Sequence, residues 1–512
     1  MFLKKKPACR QAGKKFYITT TLPYVNADPH IGFALEIIQA DVIARYHKSL
    51  GDEVFFNTGV DEHGLKIYRK ALESKLDPQE YCDIYAKKFD DLKKALNLSY
   101  NNFVRTTDSH HMKAAQEFWR RCFKNGDIYK KNYKVKYCVG CEMEKTESEL
   151  ANGCCPLHPN FELEIIEEEN YFFKYSKYQQ MLLDFYEKNP DFVVPKTRFH
   201  EIIEFTKRGL EDFSISRLKE KMPWGVPVPG DDEQVMYVWF DALVNYISVL
   251  GWPEDEKIFN GFWPGLQVAG KDNLRHQTSM WQAMLFSAGL QNSKQVFIHG
   301  FITADGQKMS KSLGNVINPF DLVKKYGTDA VRYYLLREIP SAEDGDFTYE
   351  KFEQRYNSDL AGGVGNLVAR VLGIAKSEIQ ISKSKIQNKN LELKIKETQE
   401  KYKLAIESFK FNEALASVWE IISFCDKYIN EEKLWDTSST SSGQAKKLQV
   451  INDLFFAIKE IGILLAPFLP ETSEKIKKAV ENNLPASATP KALQAEKSEI
   501  LFPRLEIHAT RN

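Results

Sequence analysis

Several features that would classify this chain at a glance are missing from it. No apolar run approaches the ~18 residues of a membrane helix, so a helical membrane span is excluded. Lys plus Arg and Asp plus Glu each total 70, so there is no global field to draw in a polyanion. Any nucleic-acid partner must therefore be held by local patches. Cysteine is sparse, eight in 512 residues, which excludes a disulfide framework. Four of the eight (Cys138, Cys141, Cys154 and Cys155) are clustered, and this reads as a reducing compartment with one metal site. There is no Gly-rich dinucleotide fingerprint and no Gly-x4-Gly-Lys-Ser/Thr loop, so the two commonest phosphate cradles are absent. No Ser/His/Asp or Cys/His arrangement offers a protein nucleophile. The basic segment 1–15 lacks the apolar stretch of a secretory signal and reads as a disordered tail.

The length suits about three to four domains. Phe16 to Leu22 is β-branched and aromatic, a buried strand. Pro23 to Asp28 is a loop, with Asp28 expected as a helix N-cap and Pro29 as the first helical residue. Ile31, Leu35, Ile38, Val42 and Tyr46 then mark one helical face, which places His30 in the first turn. Helix starts at the edge of an open parallel sheet favour phosphate, and Gly32 permits close approach of a nucleotide. Far downstream, the apolar run Val296 to Ile302 leads into Lys308-Met309-Ser310-Lys311-Ser312, bracketed by Gly306 and Gly314. This loop is flexible, doubly cationic and rich in short donors, which suits a triphosphate.

Pro29-His30-Ile31-Gly32 together with Lys308 to Ser312 resembles the two signatures of class I aminoacyl-tRNA synthetases. Pro23-Tyr24-Val25-Asn26, Asn57 to Gly64, Leu210 to Arg217, Tyr237 to Ala242, Gly270-Lys271-Asp272, Phe301-Ile302-Thr303 and Gly314-Asn315-Val316 are similar to the methionyl-tRNA synthetase branch of that family, over nearly the whole chain. The resemblance implies a Rossmann-like parallel-sheet catalytic domain with a zinc-knuckle insertion, followed by a C-terminal α-helical bundle. It also implies ATP with Mg2+, L-methionine and tRNA(Met) as ligands. In such chemistry the substrate carboxylate is itself the nucleophile, so the protein needs only to position anions and stabilise departing pyrophosphate. His30, Lys308 and Lys311 are the implied catalytic donors. Pro29, Gly32, Met309, Ser310 and Ser312 complete the implied ATP site. Asp61 is expected to pair with the amino acid's ammonium. Leu22, Tyr24, Trp239 and Tyr246 are expected to enclose its side chain, with Asp272, Asn273 and Gln277 beside them. Trp239 and Tyr246 are read as lying seven apart on one apolar helix.

Three positions depart from the family pattern: Phe33 and Gln277 where histidine is common, and Asn273 where an aliphatic residue is common. Gln277 is expected to take over hydrogen bonding near the ligand, and Phe33 to shift phosphate binding onto His30 and the lysine loop.

Cys138-x2-Cys141 followed by Cys155-x2-His158 is zinc spacing, and an all-protein thiolate–imidazole set means a structural Zn2+. Cys154 is the alternative to Cys155, which begins the Cys155-Pro156-Leu157-His158 turn. Lys207-Arg208 reads as a solvated helix face. From about Asp346 the pattern is helical. Leu360, Val364, Leu367 and Val371 mark one face, as do Phe411, Leu415, Val418, Ile422, Cys425 and Ile429, and Leu454, Ile458, Ile461 and Leu465. Residues 436–446 read as a loop and 480–498 as a small, polar stretch. The resemblance assigns Asn366, Arg370 and Trp435 to anticodon binding.

The expected layout is a tail (1–15), a catalytic first half (16–115), a connective insertion (116–235) with its knuckle at 138–158, a catalytic second half (236–300), a loop and stem-contact region (301–350) and an anticodon-binding domain (351–512). The insertion is too short for a hydrolytic editing domain. With the chain ending near Leu505 a monomer is expected, and the cysteine usage is read with a cytoplasmic location. The competing readings are a class I ligase for another amino acid and a catalytically inactive tRNA-binding relative.

Overall fold

The computed structural model describes residues 13–141, 143–145, 149–160, 162–309, 313–375, 386–434, 441–482 and 500–506. It divides into two compact units, Met1–Lys94 with Leu98–His299, and Ala95–Asn97 with Gly300–Asn512.

The first unit is built on a six-stranded sheet in which every pairing is parallel. Its strands are β1 (Lys15–Thr20), β2 (Glu53–Val60), β3 (Asn102–Arg105), β4 (Val193–Val194), β5 (Leu266–Gly270) and β6 (Gln295–His299), in the order β3-β2-β1-β5-β6-β4. The chain winds outward from β1 in one direction, then returns to β1's other side with β5. The direction therefore reverses between β1 and β5, and a crevice opens at their carboxyl ends, where open α/β sheets bind ligands. Strand β4 lies within the span expected as insertion yet pairs with β6, so that excursion returns to the main sheet.

Helix α1 (Ile31–Leu50) follows β1. The predicted face residues Ile31, Leu35, Ile38, Val42 and Tyr46 are buried, and so are most of their neighbours from Ala34 to Ala44, because α1 is packed in the interior. Beyond β3 an antiparallel hairpin, Ile128–Cys138 with Glu164–Phe173, runs in register from Ile128↔Phe173 to Tyr137↔Glu164. It carries the cysteine knuckle at its far end. At its base the buried Asp127 carboxylate accepts from Lys177 (2.7 Å), Asn125 (2.7 Å), Ser287 (2.8 Å) and Tyr178.

In the second unit the strand Ile302–Ala304 pairs with Gln307–Lys308 and Gly345–Phe347. Helices Lys389–Glu407, Phe411–Glu431, Ser441–Leu465 and Pro470–Asn482 follow. All three predicted apolar faces are buried. Arg332, also fully buried, donates to the carbonyls of Leu96 (3.0 Å), Pro467 (2.9 Å) and Phe468 (2.7 Å) and ties the helix Thr328–Arg337 to the bundle. The expected loop 436–446 is corrected from residue 441 onward, where the helix Ser441–Leu465 has already begun. Residues 444–465 contain no proline and are mostly good helix formers, so helical propensity outweighs the Ser442-Gly443 pair at the start.

Candidate active site

The loop after β1 crosses the carboxyl end of β2. Asp61 N donates to Pro23 O (2.9 Å) and Val25 N to Asp61 O (3.3 Å), which seats Tyr24 beside Asp61. The Asp61 carboxylate is buried and accepts from His63 N and Thr106 Oγ1, both at 3.3 Å.

His30 stands at the start of α1, but the capping pattern differs from the expected one. Asp28 pairs with Lys88 (2.6 Å) instead of capping, and Pro29 precedes the helix. His30 is itself the N-cap, its Nδ1 accepting from Gly32 N at 3.0 Å. An imidazole acceptor satisfies a first-turn N–H as a short polar side chain would. Solvent reaches the ring, yet the protein packed around it desolvates the imidazole and lowers its pKa from the ordinary histidine value. Phe33 packs edge-on against Phe89, with centroids 5.4 Å apart, so its ring serves packing.

At the carboxyl ends of β1 and β6 stands a buried group that sequence reasoning missed. Glu36 accepts from Thr21 N (2.8 Å) and Thr21 Oγ1 (2.5 Å) through one oxygen, and its other oxygen meets His299 Nε2 at 2.9 Å. Glu36 lies one residue beyond Leu35 on α1, and nothing in a helical pattern distinguishes a buried carboxylate there from a surface one. Gly270 ends β5, and a Cβ there would meet Asp272 Oδ1 at 2.8 Å, so a larger residue would displace the Asp272 carboxylate. Asn273 Nδ2 donates to Asp272 Oδ1 (3.2 Å).

The pocket wall is more segmented than expected. Trp239 and Tyr246 lie on two short helices, Val238–Ala242 and Asn245–Ser248, not on one. Trp239 meets Tyr24 edge to face at 6.2 Å and stacks flat on His276, centroids 3.9 Å apart and 15° between planes. Gln277 Nε2 donates to the Tyr246 hydroxyl at 2.6 Å. Burial first, then the cationic neighbours Arg275 and Lys145, push the His276 imidazole down to about 3, so it is neutral.

Behind the wall, Asp241 is fully buried between two histidines. His63 Nδ1 lies 3.0 Å from one carboxylate oxygen and His111 Nε2 3.7 Å from the other. Burial alone would raise the Asp241 carboxyl, but His63 and His111 outweigh it and hold the pKa below the usual carboxylate value. This bridge joins the Asp61 loop to the helix bearing Trp239. His63 and Asp241 sit in stretches the sequence singled out, but only the fold brings them together.

The knuckle forms as expected. The ligand atoms of Cys138, Cys141, Cys155 and His158 all lie within 4.8 Å of one another. Cys141 Sγ is 3.5 Å from Cys155 Sγ and 3.2 Å from His158 Nδ1, close to the ~3.7 Å edge of a tetrahedron with 2.3 Å zinc–sulfur bonds. Two tight turns, Cys141 N to Cys138 O and His158 N to Cys155 O, aim the ligands inward. Cys154 instead bridges back to Ala151 through its backbone, which leaves Cys155 as the ligand. A Cβ at Gly140 would strike the His158 ring at 2.5 Å, so the donor set closes around glycine. The donors fit a structural Zn2+.

In the second unit Lys308 is exposed on the hairpin strand Gln307–Lys308, paired with Thr303, and Met309 follows it, half-buried. Asp346 clamps the turn, accepting from Thr303 Oγ1 and Gly306 N, both at 2.7 Å. Ser310, Lys311 and Ser312 lie outside the described residues, as does Trp435. Asn366 is exposed at the start of the helix Asn366–Ala375. Arg370 on the same helix is tied to Asp426 (2.9 Å) and Asn430 (2.8 Å). Lys207 pairs with Glu204 at 2.9 Å on an exposed face.

The model of tRNA synthetases class I (M) matches residues 16–164 and 149–372, and that of the anticodon-binding domain of tRNA ligase matches 388–505. The methionine--tRNA ligase of Thermotoga maritima is 43% identical over 90% of this chain and 74% of its own length. That of Thermosynechococcus vestitus is 42% identical over 90% and 89%. Mycobacterium tuberculosis methionyl-tRNA synthetase, solved in complex with methionyl-adenylate, superposes with a TM-score of 0.87 at 36% identity, covering 91% of this chain and 93% of that one. The parallel sheet, its switch-point site and the appended helical region define a class I aminoacyl-tRNA synthetase. Within that class the chain belongs to the methionine--tRNA ligase family.

Proposed function

We propose that this chain activates L-methionine with ATP and transfers it to the 3′ end of tRNA(Met). The observation that carries the reading is the buried Asp61 carboxylate seated beside Tyr24 at the carboxyl ends of β1 and β2. That is a cation-binding group next to an aromatic wall, where an amino acid's ammonium and thioether both find partners. A carboxylate oxygen of methionine attacks the α-phosphorus of ATP. The bond to the β,γ-phosphates breaks, pyrophosphate departs with its charge, and methionyl-adenylate remains. His30, Lys308 and Lys311 are the donors assigned to the triphosphate, and Mg2+ accompanies ATP as part of the substrate. A hydroxyl at the tRNA 3′ end then attacks the activated carbonyl and AMP leaves. Residues 351–512 are assigned to the anticodon, through Asn366, Arg370 and Trp435. Zinc holds the hairpin and takes no part in bond changes. No helix among the described residues is long and apolar enough to cross a membrane. A cytoplasmic monomer completes the proposal.

The test is ATP–pyrophosphate exchange across a panel of amino acids. Exchange that depends on methionine supports the reading. Exchange with a different amino acid, or none at all, overturns it.

A further inference from the structure

His276 is an unusual presence in an aromatic wall. It is 3% exposed, and neither ring nitrogen has a hydrogen-bond partner. Buried polar atoms without partners are rare, and each asks for an explanation. The Oε1 atom of adjacent Gln277 is buried and unpartnered as well. Both residues lie in a widened helical turn, His276–Met280, where Trp281 N reaches back to His276 O. Such one-turn widenings recur at functional sites. The turn directs Gln277 Nε2 to Tyr246 and stacks the His276 ring on Trp239, whose edge meets Tyr24. A phenyl ring would make the same stack without stranding two polar atoms, so packing alone does not account for an imidazole here. A neutral imidazole carries one N–H donor and one acceptor nitrogen, the complement of a ligand with a weakly polar heteroatom.

We propose that His276 is a specificity-determining residue of the amino-acid pocket, its N–H donating to the side-chain sulfur of the substrate while the ring stays stacked on Trp239. This rests on the methionine reading above. The group recognised is a thioether, a weak acceptor that a hydrocarbon of the same shape lacks. Discrimination by a single such bond is modest, about three- to tenfold.

The experiment compares L-methionine with L-norleucine, in which a methylene replaces sulfur, by ATP–pyrophosphate exchange on the full chain. His276→Phe keeps the stack and removes the donor. The ratio of kcat/KM for methionine over norleucine is expected to fall about three- to tenfold in this variant, mostly through methionine's KM. An unchanged or increased ratio overturns the proposal. Should His276→Phe fail to fold, His276→Leu is read by the same ratio, with the same two outcomes. Absence of methionine-dependent exchange in the unaltered chain is the separate failure of the functional reading. Methionine exchange with an unmoved ratio refutes only the role of His276.

Discussion

Gln277 commits its amide N–H to the buried hydroxyl of Tyr246, and through it the π-helical turn holds the pocket wall. Burial raises the Tyr246 pKa, so the hydroxyl stays protonated and accepts from Gln277. Gln277→Ala removes this donor and should raise the KM for methionine about two- to tenfold with little change in kcat. Steady-state exchange kinetics check it, and an unchanged KM would sink the role. His30 shows how local chemistry escapes pattern reading. The motif placed it correctly at a helix start, but capping rules named Asp28, because short carboxylates are the usual caps. Lys88, remote in sequence, takes Asp28 as an ion-pair partner, and the imidazole caps in its place.

At the scale of elements, two devices hold the excursion between β3 and β5. The first is the knuckle. Chelating the zinc, or replacing Cys141 with serine, should loosen the hairpin and lower exchange activity indirectly, and metal analysis of the purified chain should find a single zinc. Purified protein with full activity and no zinc would refute this. The second is Asp127, where the hairpin, the turn Tyr175–Tyr178 and the helix Trp281–Ala288 converge. Burial alone would raise the Asp127 carboxyl, but hydrogen bonds from Lys177, Tyr178, Ser287 and Asn125 outweigh it, and its pKa is lowered. A carboxylate with a depressed folded pKa contributes stability above its unfolded value of about 3.9, and loses it as pH falls through the folded value. Asp127→Asn should therefore cost about 2 kcal/mol at neutral pH. The difference should shrink below about pH 4, measured by urea unfolding across pH. The three bundle faces were legible as helical repeats because each buries a continuous stripe. The single helix expected for Trp239 and Tyr246 was not, since both short helices are buried and lack a polar face to reveal the break.

For the whole molecule, activation and tRNA recognition are assigned to different parts of the chain, so they should separate in experiment. Arg370→Ala alone is an ambiguous probe, because Asp426, which is half-buried with its pKa raised first by desolvation, would lose its cationic partner. Asn366 is exposed and offers the cleaner variant. Asn366→Ala should reduce charging of tRNA(Met) about tenfold or less, as for one lost polar contact, and leave pyrophosphate exchange intact. Equal loss of both activities would point to folding damage instead.

By itself the sequence determined the local patterns and the family that they resemble. The two nucleotide signatures, the cysteine–histidine spacing and the apolar stripes are all local patterns, set by steric and hydrogen-bonding rules that act within a few residues. Tertiary structure alone decided the partnerships across long separations. Glu36 meets His299, His63 and His111 flank Asp241, and His276 stacks on Trp239. A buried charge or imidazole has its character set by whichever group packs against it, and that neighbour is chosen by the order of strands in the sheet, which no stretch of sequence displays.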